Sequence, residues 1–333
     1  MYKSTSDENN PITAILLLNI GSPKSPNICH VAAYLSRFLD NRKGIQLPWL
    51  FRKLLVYGFI VPFRVIKTSS RYRVLWNYYN GKFPLNYYGK VIQEKLQHAL
   101  TKNVVVFSAM CYEKDSLKKS IKAICENNFS TLILFPLFPH HAVSSTEVVL
   151  EKAMKVLNTY TVVPEICSIS AFYNHPAFID AWVDKINKYH PNNYDMVLFS
   201  YHSLPLNQMS KFEKDLQSYE RACYETTRLI AEKSGIFSQK ITTVFQSQMT
   251  PNWLRPFLSD FVIENTGAET DIQNILVVAP GFVADCLETV VEINEYRMSF
   301  LRKGGKKFDL VESLNVSPFW IEVLRNICLS KMK

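Results

Sequence analysis

Asp285, Glu288, Glu292 and Glu295 stand three, four and three residues apart in the run P-G-F-V-A-D-C-L-E-T-V-V-E-I-N-E-Y (280–296). On a helix this spacing lines four carboxylates along one stripe, where like charges repel. No basic residue stands among them, so the line suits a cation, either a metal or a relayed proton. Taken by itself the stripe reads first as a solvated acidic face. His202, in F-S-Y-H-S-L-P, supplies a second kind of group. A neutral imidazole accepts a proton or binds a metal near physiological pH, whereas a plain loop histidine would only bond to backbone. One histidine and one glutamate at such positions could move protons to or from a nitrogen ligand while the acids hold or pass a divalent cation.

Other candidates carry weaker signals. His140 and His141 are adjacent, and neighbours rarely bind one ion together, so at most one is expected to function. Ser144-Ser145-Thr146-Glu147 has the look of a helix start, with a hydroxyl N-cap ahead of an acid. Capping is the first reading, although a helix N-terminus also suits an anion. Cys286 lies beside Asp285, where a soft metal ligand is conceivable and a small buried hydrophobe is the commoner outcome. Trp253 and Trp320 have apolar neighbours and read as packing anchors. Neither G-x-G-x-x-G nor G-x-x-x-x-G-K-[ST] occurs, which argues against a nucleotide enzyme.

These residues need a scaffold. Short aliphatic or β-branched runs recur at 13–18, 104–108, 132–135, 162–168, 196–200, 241–245, 275–278 and 308–311. Helical patterns at 115–127, 145–158, 176–189 and 218–234 lie between them. That alternation predicts an α/β protein with parallel sheets. Eight strands could close a barrel, but Y-H-P-N-N-Y (189–194) interrupts the run near its middle, and two doubly wound domains fit better. Ligands in such folds sit beyond the carboxyl ends of strands. The rule selects the loops at 19–23, 136–145, 201–205, 246–248 and 280–288, and so places His202 and Glu288 at strand ends.

The chain has 333 residues, enough for two domains with a core each. An apolar fraction of 47% with a mean hydropathy of −0.04 suits a soluble globular protein. The net charge of +9 is spread without a dense basic block, so no nucleic-acid partner is expected. Seven cysteines, with no C-x-x-C among them, read as free thiols in a cytoplasm. The polar start Met1–Asn10 is unlike a signal peptide. The segment 47–66 is the nearest approach to a membrane span, but charges interrupt it. It is either a core helix or an amphipathic lip showing Trp49, Leu50, Phe51, Leu54 and Leu55, which leaves peripheral membrane contact open.

Together the motifs resemble the ferrochelatase family, enzymes that insert ferrous iron into a porphyrin. The resemblance runs from about Ile12 to Leu329. It rests on L-L-L-N-I-G-S-P, L-F-P-L-F-P-H-H-A-V-S-S-T, F-S-Y-H-S-L-P, F-Q-S-Q with W-L-R-P, and P-G-F-V-A-D-C-L-E-T-V-V-E-I, in the family's order. It implies two similar doubly wound, Rossmann-like chelatase domains, 1–170 and 171–317, with the active-site cleft between them and a helix 318–332 packing back on the first. It further implies that His202 accepts pyrrole protons with Glu288 as partner. Metal contacts would come from His202, Glu288, Glu292 and Asp285, and porphyrin contacts from Ile20, Tyr112, Ser144 and Trp253. Ile20 would press the face opposite the histidine and bend the macrocycle, turning nitrogen lone pairs towards the metal.

The chain departs from the family pattern in three places. Cys111 replaces an arginine expected to meet a propionate, Gln248 replaces another, and N-G-K-F-P-L (80–85) stands where G-G-S-P-L is common; Lys82 is a possible substitute cation. The expected substrates are protoporphyrin IX and Fe2+, with no iron–sulfur centre. A cobalt, nickel or coproporphyrin chelatase of the same fold and a non-catalytic haem or porphyrin carrier are the alternatives.

Overall fold

A computed structural model of the chain describes residues 13–40, 49–206, 209–265 and 271–332. The start Met1–Asn10 and the Trp49 side chain lie outside what is described. The first half runs β1 (Thr13–Asn19), α1 (Ile28–Leu39), α2 (Trp49–Lys53), α3 (Val61–Tyr78), α4 (Pro84–Ala99), β2 (Val104–Met110), α5 (Ser116–Cys125), β3 (Thr131–Pro136), α6 (Val148–Leu157) and β4 (Glu165–Ser168). The second half runs α7 (Pro176–Asn187), β5 (Met196–His202), α8 (Met209–Ser234), β6 (Ile241–Gln246), α9 (Leu258–Glu264), β7 (Asn274–Val278), α10 (Ile293–Arg302), β8 (Lys307–Leu310) and α11 (Pro318–Lys331).

The strands form two four-stranded parallel sheets, ordered β2-β1-β3-β4 and β6-β5-β7-β8. The two orders are the same pattern repeated, so the expected pair of similar doubly wound halves is present. Every residue of β1 is buried, because helices cover both faces of a parallel sheet. One strand is shorter than its sequence suggests. Val162 and Val163 stay outside β4, with Val162 74% exposed. Pro164, which has no N–H to give a ladder, stands just before the strand.

The cores also differ from expectation. One buried cluster belongs to the first sheet and one to the second, but the largest joins them. It contains Ile15 and Leu17 of β1, Val197 and Phe199 of β5, Trp182 of α7, and Trp320 and Leu324 of α11. The C-terminal helix is part of this shared layer, and Arg325 Nε donates to the Ala99 carbonyl at the end of α4 at 3.0 Å.

Three helices carry wide turns, bonded i to i+5 rather than i to i+4. They are Leu54–Ile60 between α2 and α3, Val143–Glu147 ahead of α6, and Glu288–Glu292 ahead of α10. Such turns are rare and concentrate at functional sites. The second corrects the expected hydroxyl cap: the turn starts at Val143, Ala142 occupies the N-cap position, and no side chain caps it.

Candidate active site

A cavity of about 860 Å³ opens at the carboxyl ends of both sheets. Ile20, Leu55, Leu85, Leu137, Trp253 and Phe282 give it a largely apolar wall. Ile20, Tyr112, Ser144, Trp253, His202 and Glu288 all line it, so six of the eight residues singled out from sequence meet in one place. Asp285 and Glu292 are not among its lining residues.

His202 is the last residue of β5, not a loop residue beyond it. Its Nδ1 lies 2.6 Å from the Ser203 carbonyl. A carbonyl oxygen only accepts, so Nδ1 carries the hydrogen and Nε2 keeps its lone pair. The backbone around it is fixed: Tyr219 donates to the His202 carbonyl at 2.8 Å, and Ser203 N donates to the Gln246 carbonyl at 2.8 Å. The Trp253 and Phe282 rings stand 6.4 Å from the imidazole, centre to centre. The long loop after β6 holds Trp253 through paired contacts with Leu204–Leu206, including Leu254 N to the Leu204 carbonyl at 2.8 Å.

The acidic stripe does not survive as one face. Asp285 precedes the helix in a non-helical turn, and the wide turn then rotates the following acids away from α-helical positions. Asp285 accepts from Tyr79 at 2.6 Å and from Asn315 at 2.9 Å. Glu292, 9% exposed, accepts from Ser247 N at 2.8 Å, Ser247 Oγ at 2.7 Å and the Tyr296 hydroxyl at 2.9 Å. Glu295 pairs with Arg71 of α3. Among the described residues, Glu288 is the one carboxylate in the cavity wall. The solvated-face reading is thereby replaced: three acids serve protein donors and one faces the cavity.

Two neighbours of Glu288 have their acidity suppressed. Burial raises the Cys286 thiol well above its usual range, and the nearby Glu288 carboxylate adds to the effect. Tyr72 is raised by burial and then by Glu288. Cys286 is therefore a buried thiol in the cavity wall rather than a ready thiolate.

On the first domain's side, Ile20 follows β1, and its carbonyl accepts from Tyr112 N at 3.2 Å. Gly21 has φ +80°, and a Cβ there would fall 2.7 Å from Met110 Cβ, so only glycine lets β1 and β2 end this close together. Tyr112 packs edge-on to Phe38 at 5.1 Å, and the Lys152 ammonium lies 4.5 Å above its ring. Lys82, the suggested substitute cation, lies 4.6 Å from the Tyr87 ring centre and is not in the cavity wall.

Three residues that set this geometry have no such role in the sequence reading, although His140 is a candidate of the adjacent pair and Gln246 lies in a selected loop. Gln246, fully buried, accepts from Ser200 at 2.6 Å and donates to the Glu288 carbonyl at 3.1 Å. Tyr219 holds the His202 backbone. His140 lies in the wall, 4% exposed, with Nε2 2.9 Å from Thr226 Oγ1 and its ring stacked on Tyr173. Burial pushes its pKa down to about 3, so it is neutral. The F-Q-S-Q motif contains Gln246 and the adjacent histidines contain His140, but no local pattern marks Tyr219.

Two matched parallel sheets with a shared cleft at their carboxyl ends define a chelatase fold. The chain is similar in structure to SirB from Bacillus subtilis with Fe3+, with a TM-score of 0.57, 10% identity, and 96% of this chain and 95% of that one covered. It is similar also to the sirohydrochlorin chelatase SirB from Bacillus subtilis subspecies spizizenii in complex with cobalt (TM-score 0.54, 9% identity, 95% and 93% covered). At that identity the likeness is one of fold. In sequence, the ferrochelatase family model matches residues 12–332. The chain is 34% identical to a ferrochelatase of Porphyromonas gingivalis, covering 98% of each. It is 32% identical to one of Legionella pneumophila, covering 94% of this chain and 97% of that one. The chain belongs to the ferrochelatase family.

Proposed function

We propose that the cavity inserts ferrous iron into protoporphyrin IX to form protohaem, the last step of haem biosynthesis and a lyase-class activity. The observation that carries this is the pairing of a bare His202 Nε2 with the Glu288 carboxylate in one largely apolar cavity. Metal insertion replaces two pyrrole N–H hydrogens by bonds to iron, so two protons must leave. His202 accepts the two pyrrole protons in turn at Nε2, passing the first to solvent water before taking the second, and each time the imidazolium that forms keeps its Nδ1 bond to the Ser203 carbonyl. Glu288, its partner, supplies the negative charge that favours an approaching cation.

Ile20, Tyr112, Ser144 and Trp253 would hold the macrocycle, with Ile20 pressing on it from the first domain. Glu292, with both oxygens engaged, would receive iron only by exchanging protein donors, and Asp285 is held outside the cavity wall by its bonds to Tyr79 and Asn315. On this reading His202 and Glu288 make the central metal contacts and the other two lie outside them.

We extend the reading to the lip. Leu50, Phe51, Leu54, Phe63 and Ile66 are exposed around α2 and the start of α3, with Arg64 and Lys67 beside them. Apolar and basic side chains together suit peripheral contact with an anionic membrane surface. No described helix is long and apolar enough to cross a membrane. Seven free thiols fit a cytoplasmic protein.

The deciding experiment is anaerobic addition of ferrous iron to protein and protoporphyrin, following porphyrin fluorescence. Iron-dependent loss of fluorescence with turnover supports the enzyme. Binding without metal insertion leaves the carrier as the correct reading, and insertion of cobalt or nickel in preference to iron assigns a different chelatase.

A further inference from the structure

Asp285 joins three distant segments. Its Oδ2 accepts from the Tyr79 hydroxyl at 2.6 Å and from Asn315 Nδ2 at 2.9 Å, while its backbone N donates to Asn315 Oδ1 at 2.9 Å. Asn315 N in turn donates to the Val283 carbonyl at 2.9 Å. Asn315 has φ +49°, a left-handed conformation that asparagine tolerates better than most residues. Asp285 is thus fixed from both sides, three residues before Glu288.

Tyr79 is the C-cap of α3. At its other end α3 continues from the wide turn Leu54–Ile60, whose Leu55 and Ile60 line the cavity. Glu288 belongs to the opposite half, yet Val291 of its turn is buried in the first sheet's core cluster. The Tyr79–Asp285 bond therefore links the C-terminal end of α3, which continues from the cavity-lining wide turn, to the turn that carries the cavity carboxylate.

We propose that Tyr79 is a positioning residue for metal insertion. By donating to Asp285 it holds the turn before Glu288, and so the Glu288 carboxylate, at a fixed distance from the lip helix. The inference rests on the ferrochelatase reading and deepens it. A phenol that braces this turn acts on the Glu288 carboxylate and leaves the porphyrin wall in place.

Tyr79→Phe removes only the hydroxyl and keeps the edge-on contacts with Tyr78 and Tyr88. Initial rates with ferrous iron and protoporphyrin should show kcat lower by about tenfold, as expected for a displaced reacting group. The KM for porphyrin should stay within about twofold, a split that general loosening of the fold does not produce. Asp285→Asn, which weakens the acceptor of the same bond, should give a similar loss. The double variant should lose no more than the worse single one. Unchanged kcat in either single variant, multiplying losses in the double, or a rise in porphyrin KM at constant kcat overturns the proposal. Should Tyr79→Phe fail to fold, Asp285→Asn alone tests the same bond, and an unchanged kcat there overturns the proposal equally. A wild-type protein that does not metallate sinks the underlying reading instead, so the two failures are distinguishable.

Discussion

Gln246 donates from its side-chain amide to the Glu288 carbonyl across 3.1 Å, while its own backbone lies in register beside His202. The same carbonyl also closes the wide turn by accepting from Ile293 N. One buried amide therefore ties the strand that ends at His202 to the turn that carries Glu288.

Gln246→Ala should cost both stability and rate. It leaves the Ser200 hydroxyl without its acceptor in a fully buried place and frees the Glu288 turn. Losing such a partner costs about 1–3 kcal/mol, readable as a lower midpoint in denaturant unfolding. A variant with an unshifted midpoint and full turnover would show that the amide is incidental.

His202→Ala should lower the insertion rate by about two to four powers of ten, the usual contribution of a positioned base. Porphyrin affinity, followed by quenching of protein fluorescence, should change little because the apolar wall remains. Wild-type turnover in this variant would refute the proton-acceptor role.

Glu292→Gln separates two roles for that acid. All three donors now address a carboxylate, and Ser247 is held at φ +64°, where only firm bonding keeps a serine. Loss of the charge should cost about 1–3 kcal/mol and lower the melting temperature. If Glu292 works chiefly as a metal ligand, stability stays level and the KM for iron rises instead.

His140 predicts a pH dependence. Its folded pKa, near 3, lies below the unfolded value of 6.5, because burial disfavours the charged form. Between those values the unfolded chain binds more protons, so this group makes stability fall as pH drops from 6.5 towards 3. The slope from one such site is at most about 1.4 kcal/mol per pH unit. His140→Gln should flatten the stability–pH curve in that window, and an equally steep curve in the variant would refute the assignment.

The scaffold was largely legible because parallel strands buried on both faces write themselves as unbroken aliphatic runs, as in 13–18 and 275–278. His202 and Glu288 were legible because such sheets place ligands at strand ends. The wide turns were not, since a helical spacing of acids looks the same until the i+5 bonds rotate it. Nor was the fate of Asp285, whose donor Tyr79 lies 206 residues away in the chain. Val162 and Val163 misled because two β-branched residues before a proline look like strand and lie in solvent. Gln246 was in view as a loop motif, but its service to Glu288 depends on a register between strands that only the folded sheet supplies.

The buried layer shared by β1, β5, α7 and α11 constrains how the cleft can work. Rocking the two sheets against each other would tear open a continuous apolar seam through the back of the molecule, and a hinge of that kind is too costly for a repeated cycle. The rear of the cleft behaves as an anvil. A flat macrocycle would then enter, and its metallated product leave, at the front of the cleft, where Leu55 and Ile60 ahead of α3 line the cavity.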